Sequence, residues 1–81
     1  MEDRQEIFEA MKKRIAIIIN KKEEELLEDT KFADLNMKSL NYSQLTTYLE
    51  DECDVEIAFM DFKRKATLGE ATDYVISLIE D

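Results

Sequence analysis

The chain has 81 residues, 20 acidic and 11 basic, a formal net charge of −9, and no proline, no histidine, one glycine and one cysteine. A chain of this length makes one small domain, here spanning residues 1–81, with a modest core and marginal stability. The acidic balance argues against nucleic acid and against anionic membrane surfaces, both of which need clustered Lys and Arg. It fits a basic protein partner reached by electrostatic steering, or simply solubility.

Few helix breakers and many Glu, Lys, Leu and Ile predict an all-α protein. The first helix is expected to start near Asp3, with Glu6 three positions on as a loose capping box. Ile7, Phe8, Met11, Ile15, Ile18 and Ile19 recur at helical spacing and predict its core face. Glu9 and Lys13 stand four apart in the favourable order. Asn20 is a suitable stop, because Asn tolerates the left-handed conformation. Ile15 to Ile19 is apolar but far too short to cross a bilayer.

Residues 21–38 form the longest connection. It opens on a solvated charge run, Lys21-Lys22-Glu23-Glu24-Glu25. A helical turn is expected within Glu23 to Glu28, and Leu26, Leu27, Phe32 and Leu35 are expected to pin the loop to the core. The next helix is predicted from Ser39 to Cys53, with Leu40, Leu45, Leu49 and Cys53 inward and Tyr48 at the edge. Ser39 sits at its start, which allows two readings. It is a helix cap, because Ser favours that position. Or it is an attachment site, held in solvent at the positive end of a helix dipole. Glu50, Asp51, Glu52, Asp54 and Glu56 make an acidic corner at the far end, followed by the apolar anchor Ile57.

Ala58 to Lys65 reads as a short helix or turn in which Phe59, Met60 and Phe62 fill the core or line a cavity. Thr67-Leu68-Gly69-Glu70 is a capping box with Thr67 as cap. Leu68, Ala71, Tyr74, Val75, Leu78 and Ile79 form the buried stripe of the last helix, and Glu80 and Asp81 are expected to fray. The sum is a small bundle of three main helices plus one short helix, with a long loop after the first.

Most chemistries fall away on composition. Without His, the commonest general base and zinc ligand are missing, and no metal site is expected. Ser39 has no base beside it to make a nucleophile. Cys53, on an apolar face without His, reads as a core residue. The one glycine supports neither an EF-hand nor a phosphate-cradling loop. A self-contained enzyme is not expected. One cysteine makes no internal disulfide, and Met1-Glu2-Asp3-Arg4-Gln5-Glu6 lacks the pattern of a signal peptide, so a reducing, cytoplasmic setting is expected.

Asp34-Leu35-Asn36-Met37-Lys38-Ser39-Leu40 resembles the acyl carrier protein signature, usually Asp-Leu-Gly-x-Asp-Ser-Leu. The similarity keeps its spacing through Leu45, Leu49-Glu50-Asp51-Glu52, Asp54-Val55-Glu56-Ile57 and Ala71-Thr72-Asp73-Tyr74-Val75. It covers about half the chain closely. The resemblance implies an acyl-carrier-like domain whose Ser39 carries a covalent phosphopantetheine arm. A phosphopantetheinyl transferase would install the arm from coenzyme A with magnesium. Acyl or related groups would ride on it as thioesters, for an acyl ligase or condensing enzymes in lipid or secondary metabolite biosynthesis. The same analogy puts partner docking at Lys38, Leu40, Asn41, Gln44 and Glu50. It puts a shelter for the acyl chain at Leu45, Leu49, Ile57, Phe62, Ala71 and Tyr74. A monomer is expected.

The departures from the pattern are specific. Lys38 replaces the usual acid before the serine, and Asn41 and Gln44 stand where acids usually face basic enzymes. Asn36 replaces the common Gly, Ala58 the common Pro, and Phe62 and Lys65 replace residues that are often smaller or apolar. A specialised carrier is one expectation. The alternative is a carrier-like helical adaptor or subunit without the prosthetic group.

Overall fold

Asp3 opens the first helix as its sequence predicts, with its carboxylate accepting a hydrogen bond from the Gln5 N–H at 3.1 Å. The computed structural model describes residues 3–80, so the expected fraying of Asp81 lies outside the described residues. Helix α1 runs Arg4–Ile19. The cap is Asp3 alone, and no reciprocal bond from Glu6 accompanies it among the described residues. Ile7, Phe8, Met11, Ile15 and Ala16 are buried, and Ile18 and Ile19 pack against them half-buried. The expected Glu9–Lys13 pair is replaced by a Glu9–Lys12 pair at 3.4 Å, and Glu9 also accepts from the Gln5 side chain. Lys12 prevails because its ammonium also lies 5.5 Å from the centre of the Phe8 ring. Asn20 ends the helix in the left-handed region at φ 57°, and the Lys21 N–H reaches back to the Ala16 carbonyl.

The expected turn after α1 is a single 3-10 turn, Glu23–Glu25. Leu26, Phe32 and Leu35 are buried as expected. Leu27 is not. Its N–H is fixed by the Thr30 hydroxyl at 2.8 Å, and its side chain is exposed. A short helix α2, Phe32–Leu35, was not legible in the sequence, because four residues lie far below the length at which helices form unaided. Asn36 closes α2 at φ 54°. This explains its tolerance in place of Gly, since Asn enters the left-handed region more readily than other side-chain-bearing residues.

Helix α3 spans Ser39–Cys53 and α4 spans Phe59–Lys63. Helix α5 runs Leu68–Glu80, so helical geometry continues through Glu80 where fraying is expected. Thr67 caps α5, its hydroxyl accepting from the Glu70 N–H at 3.1 Å. The long helix α1 packs against both α3 and α5, and α4 lies on α3. Ile7, Met11, Ile15, Leu45, Leu49, Leu68 and Val75 are inaccessible at the centre. The buried Thr72 hydroxyl donates to the Leu68 carbonyl at 2.8 Å, which removes the cost of an unpaired polar group.

The long connection is tied to the start of α5 by backbone. Phe32 N–H donates to the Ala66 carbonyl, Leu68 N–H to Thr30, and Gly69 N–H to Glu28, all within 2.9–3.0 Å. Arg4 adds side-chain bonds across the same junction. Its guanidinium donates to both carboxylate oxygens of Glu28 at 2.7 and 2.9 Å, to Asp73 at 2.7 Å, and to the Gly69 carbonyl at 3.2 Å. A Cβ on Gly69 would stand 2.6 Å from Glu28 Oε1 and 3.0 Å from the Glu28 carbonyl oxygen. The backbone contact cannot swing away as the carboxylate can.

Two outcomes follow from this junction. Gly69→Ala lowers stability by about 1–3 kcal/mol through overpacking, despite the helix preference for Ala, measured by urea denaturation. An unchanged or raised midpoint refutes it. The Arg4 hydrogen bonds hold the Glu28 carboxyl below its ordinary range. Its contribution is therefore present above the unfolded value, about 4.3, and is lost as pH falls through the lower folded value. The Tm gap between wild type and Arg4→Gln should close on acidification from pH 7 to 3. A gap independent of pH would show that Glu28 plays no part.

Candidate functional site

Ser39 does not cap α3. The cap is Lys38, with extended backbone, and Ser39 is the first helical residue. The reason lies at Asn41, whose side-chain oxygen accepts from the Lys38 N–H at 2.8 Å. This is half of a reciprocal box. The other half does not form, because an ammonium has no acceptor to offer, and Lys38 makes no side-chain capping bond. The first-turn N–H groups of α3 have no partner within the helix. Freed from capping, the Ser39 hydroxyl is exposed, and it accepts a hydrogen bond from Lys63 Nζ of α4 at 3.1 Å.

The other residues expected at a docking surface divide. Lys38, Leu40 and Gln44 are exposed around Ser39. Leu40, expected inward, is 68% exposed. The inward place in that turn goes to Tyr42, which is buried with Leu45, Thr46 and Leu49. Asn41 is half-buried and engaged with Lys38. Glu50 stands about three turns along α3, where its carboxylate accepts from the Ile57 N–H at 2.8 Å. It ties down the segment before α4. Met60 of α4 is also exposed, while Phe62 is fully buried and Phe59 half-buried.

The six residues expected to shelter a chain stand in the core. Leu45, Leu49, Ile57, Phe62 and Ala71 are buried, and Tyr74 is half-buried. Phe62 sits in an aromatic row. Tyr42 and Phe32 have ring centres 5.4 Å apart, Phe32 and Phe62 6.0 Å, and Phe62 and Tyr74 6.5 Å, all tilted or edge-on. Burial raises the Tyr42 hydroxyl above its ordinary pKa. The Tyr74 hydroxyl accepts from the Ala58 N–H at 3.1 Å. A proline at position 58 has no N–H to give, so Ala58 in place of the usual Pro gains a bond to α5. Among the described residues no cavity stands open between these helices.

Cys53 is half-buried, and burial raises its thiol pKa, with Glu52 adding to the effect. A thiol kept protonated is a poor nucleophile. No group of metal ligands gathers among the described residues, and no helix there is long and apolar enough to cross a membrane. Lys63 is the site residue that sequence reasoning missed. Its only prior signal was its place at the end of the short helix, one residue after Phe62.

Residues 9–75 match a family model described as "Phosphopantetheine attachment site", a span that contains Ser39. The acyl carrier protein of Buchnera aphidicola subsp. Schizaphis graminum is 35% identical over 66 residues, covering 80% of this chain and 84% of its own length. The chloroplastic acyl carrier protein SF2 of Brassica campestris is 29% identical over 76 residues, which is 94% of this chain. The chain spans only about half of that relative, 54% of its length. The NMR structure of the HMG-ACPI domain from the CurA module of Lyngbya majuscula superposes with a TM-score of 0.81 at 24% identity, covering 98% of this chain and 80% of that one. The five helices and the exposed serine thus belong to a phosphopantetheine-attachment fold. The chain is a member of the acyl carrier protein family.

The placement of Leu40 and Leu45 yields a direct contrast. Leu45→Ala should cost about 2–5 kcal/mol by denaturant unfolding, as a buried leucine does. Leu40→Ala should shift stability by no more than about 0.5 kcal/mol. Equal losses would place Leu40 in the core after all.

Proposed function

We propose that the protein is a specialised acyl carrier whose attachment point is Ser39, acting as one carrier unit. One observation carries the reading. Ser39 Oγ projects into solvent at the start of α3, free of helix capping, within the span that matches the attachment family. The residues there suit a phosphorylated group, since a positive helix end, free N–H groups and an ammonium all favour an anion. A transferase using coenzyme A and magnesium would join the Ser39 oxygen to the phosphorus nearer the pantetheine, releasing the nucleotide half. When bound, the arm supplies a terminal thiol that holds acyl groups as thioesters.

Leu40, next to the serine, and Met60 on α4 are exposed apolar side chains, and Lys38, Asn41 and Gln44 leave the start of α3 without acidic charge. Partners that grip this end, the transferase and an acyl ligase or condensing enzyme, would therefore gain little from a strongly basic groove. Work in the cytoplasm on lipids or secondary metabolites is the setting that we infer.

The packed interior bears on cargo. Burying an apolar chain gains about 0.8 kcal/mol per methylene. Displacing a buried phenylalanine such as Phe62 sacrifices contacts worth about 3–5 kcal/mol. A group of only a few carbons does not offset that loss, so short cargo stays outside the bundle. Sheltering a longer chain would require Phe62 and Tyr74 to move.

Incubation with coenzyme A and a broad-specificity transferase, followed by intact-mass measurement, tests the reading. The wild type should gain one phosphopantetheine and Ser39→Ala none. No gain on the wild type, or equal gain on both, removes it. The second reading, an adaptor without the arm, draws on the non-acidic Lys38, Asn41 and Gln44. It predicts a stable partner complex that survives Ser39→Ala.

A further inference from the structure

The chain as a whole is strongly acidic, yet the side chain in contact with Ser39 is a cation. Lys63 is the last residue of α4 and is exposed, so nothing in the core demands a lysine there. Its ammonium is nonetheless placed by several contacts. Phe62, the residue before it, is fully buried and anchors α4. The Tyr42 and Phe59 ring centres each lie 5.9 Å from Lys63 Nζ, close enough for their faces to attract a cation. The remaining direction leads to Ser39 Oγ at 3.1 Å.

An ammonium has three donors and no acceptor. With a neutral hydroxyl it makes an ordinary hydrogen bond. With an anionic oxygen it makes a charge-assisted bond roughly twice as strong. A phosphodiester on Ser39 would put its unbridged oxygens two bonds beyond the oxygen that Lys63 already contacts. Exposed ion pairs add little to stability, so what such a contact supplies is direction.

We propose that Lys63 is a positioning residue for the prosthetic arm: its ammonium pairs with the phosphodiester on Ser39 and holds the start of the arm on the α4 side, against Tyr42 and Phe59. This rests on Ser39 being the attachment point. It deepens that reading by naming the group that orients the arm. An arm leaving the bundle in a set direction presents its thiol over a smaller volume, which raises its effective concentration for a partner docked on that side. Lys38, also exposed beside Ser39, makes no such contact with the serine oxygen among the described residues.

The test uses the full chain loaded with the arm by a broad-specificity transferase, as wild type, Lys63→Gln and Lys63→Arg, each checked by intact mass and circular dichroism. Phosphorus-31 NMR reads the phosphodiester directly, with the same loaded protein in urea as reference. The wild-type resonance should be displaced from its reference. The displacement should be largely lost in Lys63→Gln, largely kept in Lys63→Arg, and reduced at about 1 M salt, where screening is strong. Proton contacts between the arm's geminal methyl groups and the Phe59 or Tyr42 rings should vanish with Lys63→Gln. Matching phosphorus resonances and matching methyl contacts in wild type and Lys63→Gln overturn the proposal while leaving Ser39 as the attachment point. A wild type that takes up no arm overturns both.

Discussion

Three backbone hydrogen bonds hold residues 28–32 against residues 66–69, and the geometry at Ser39 depends on them. They carry the chain from the far end of α1 back across the bundle and deliver it to α2 on the side where α4 begins its turn into α5. Without this seam, the connection between α1 and α3 would be a long flexible loop, and α3 could start anywhere along its reach. With it, Leu26, Phe32 and Leu35 are locked into the core. Asn36 makes its left-handed turn, and Ser39 emerges beside Lys63. Arg4 reinforces the seam from α1 by holding Glu28, Asp73 and the Gly69 carbonyl at once. Surface ion pairs are weak one at a time. This one is bidentate and joins three segments, so it fixes geometry more than it adds stability.

The sequence made the long helices legible because their signals are local. Asp3, Asn20 and Thr67 mark helix ends by the hydrogen bonds and dihedral angles that their side chains allow. Apolar spacing located the inward faces of α1 and α5. It misled at Leu40, because one residue early in a helix fits more than one stripe. Tyr42, whose ring finds Phe32, takes the buried place instead. It misled at Leu27 for a similar reason, since adjacent leucines in a turn cannot both face inward. The seam itself left no trace in the sequence. Backbone pairing between residues so far apart in the chain, from Phe32–Ala66 to Glu28–Gly69, uses no particular side chain apart from Gly69, which the sequence presents only as part of a capping box.

At the site, the sequence leaves Ser39 open between a helix cap and an attachment point, and the structure removes the first, because Lys38 holds the cap position. Asn41 supplies an acceptor to the Lys38 N–H instead and shifts the cap back by one residue. The hydroxyl is thereby released from the helix and turned toward α4. Two departures from the family pattern also acquire physical accounts. Asn36 keeps the left-handed conformation that Gly would take. Ala58 gives Tyr74 a hydrogen bond that Pro could not.

The row of rings from Tyr42 through Phe32 and Phe62 to Tyr74 has an optical consequence. The chain contains no tryptophan and only three tyrosines, so tyrosine dominates its near-ultraviolet emission. Two of those fluorophores terminate the row. Tyr42 lies near Lys63, and Tyr74 has Lys65 5.1 Å from its ring centre. The third, Tyr48, is stacked under Arg14. The protein thus contains its own unlabelled reporter, in which two of three emitters border the face that carries Ser39 and α4.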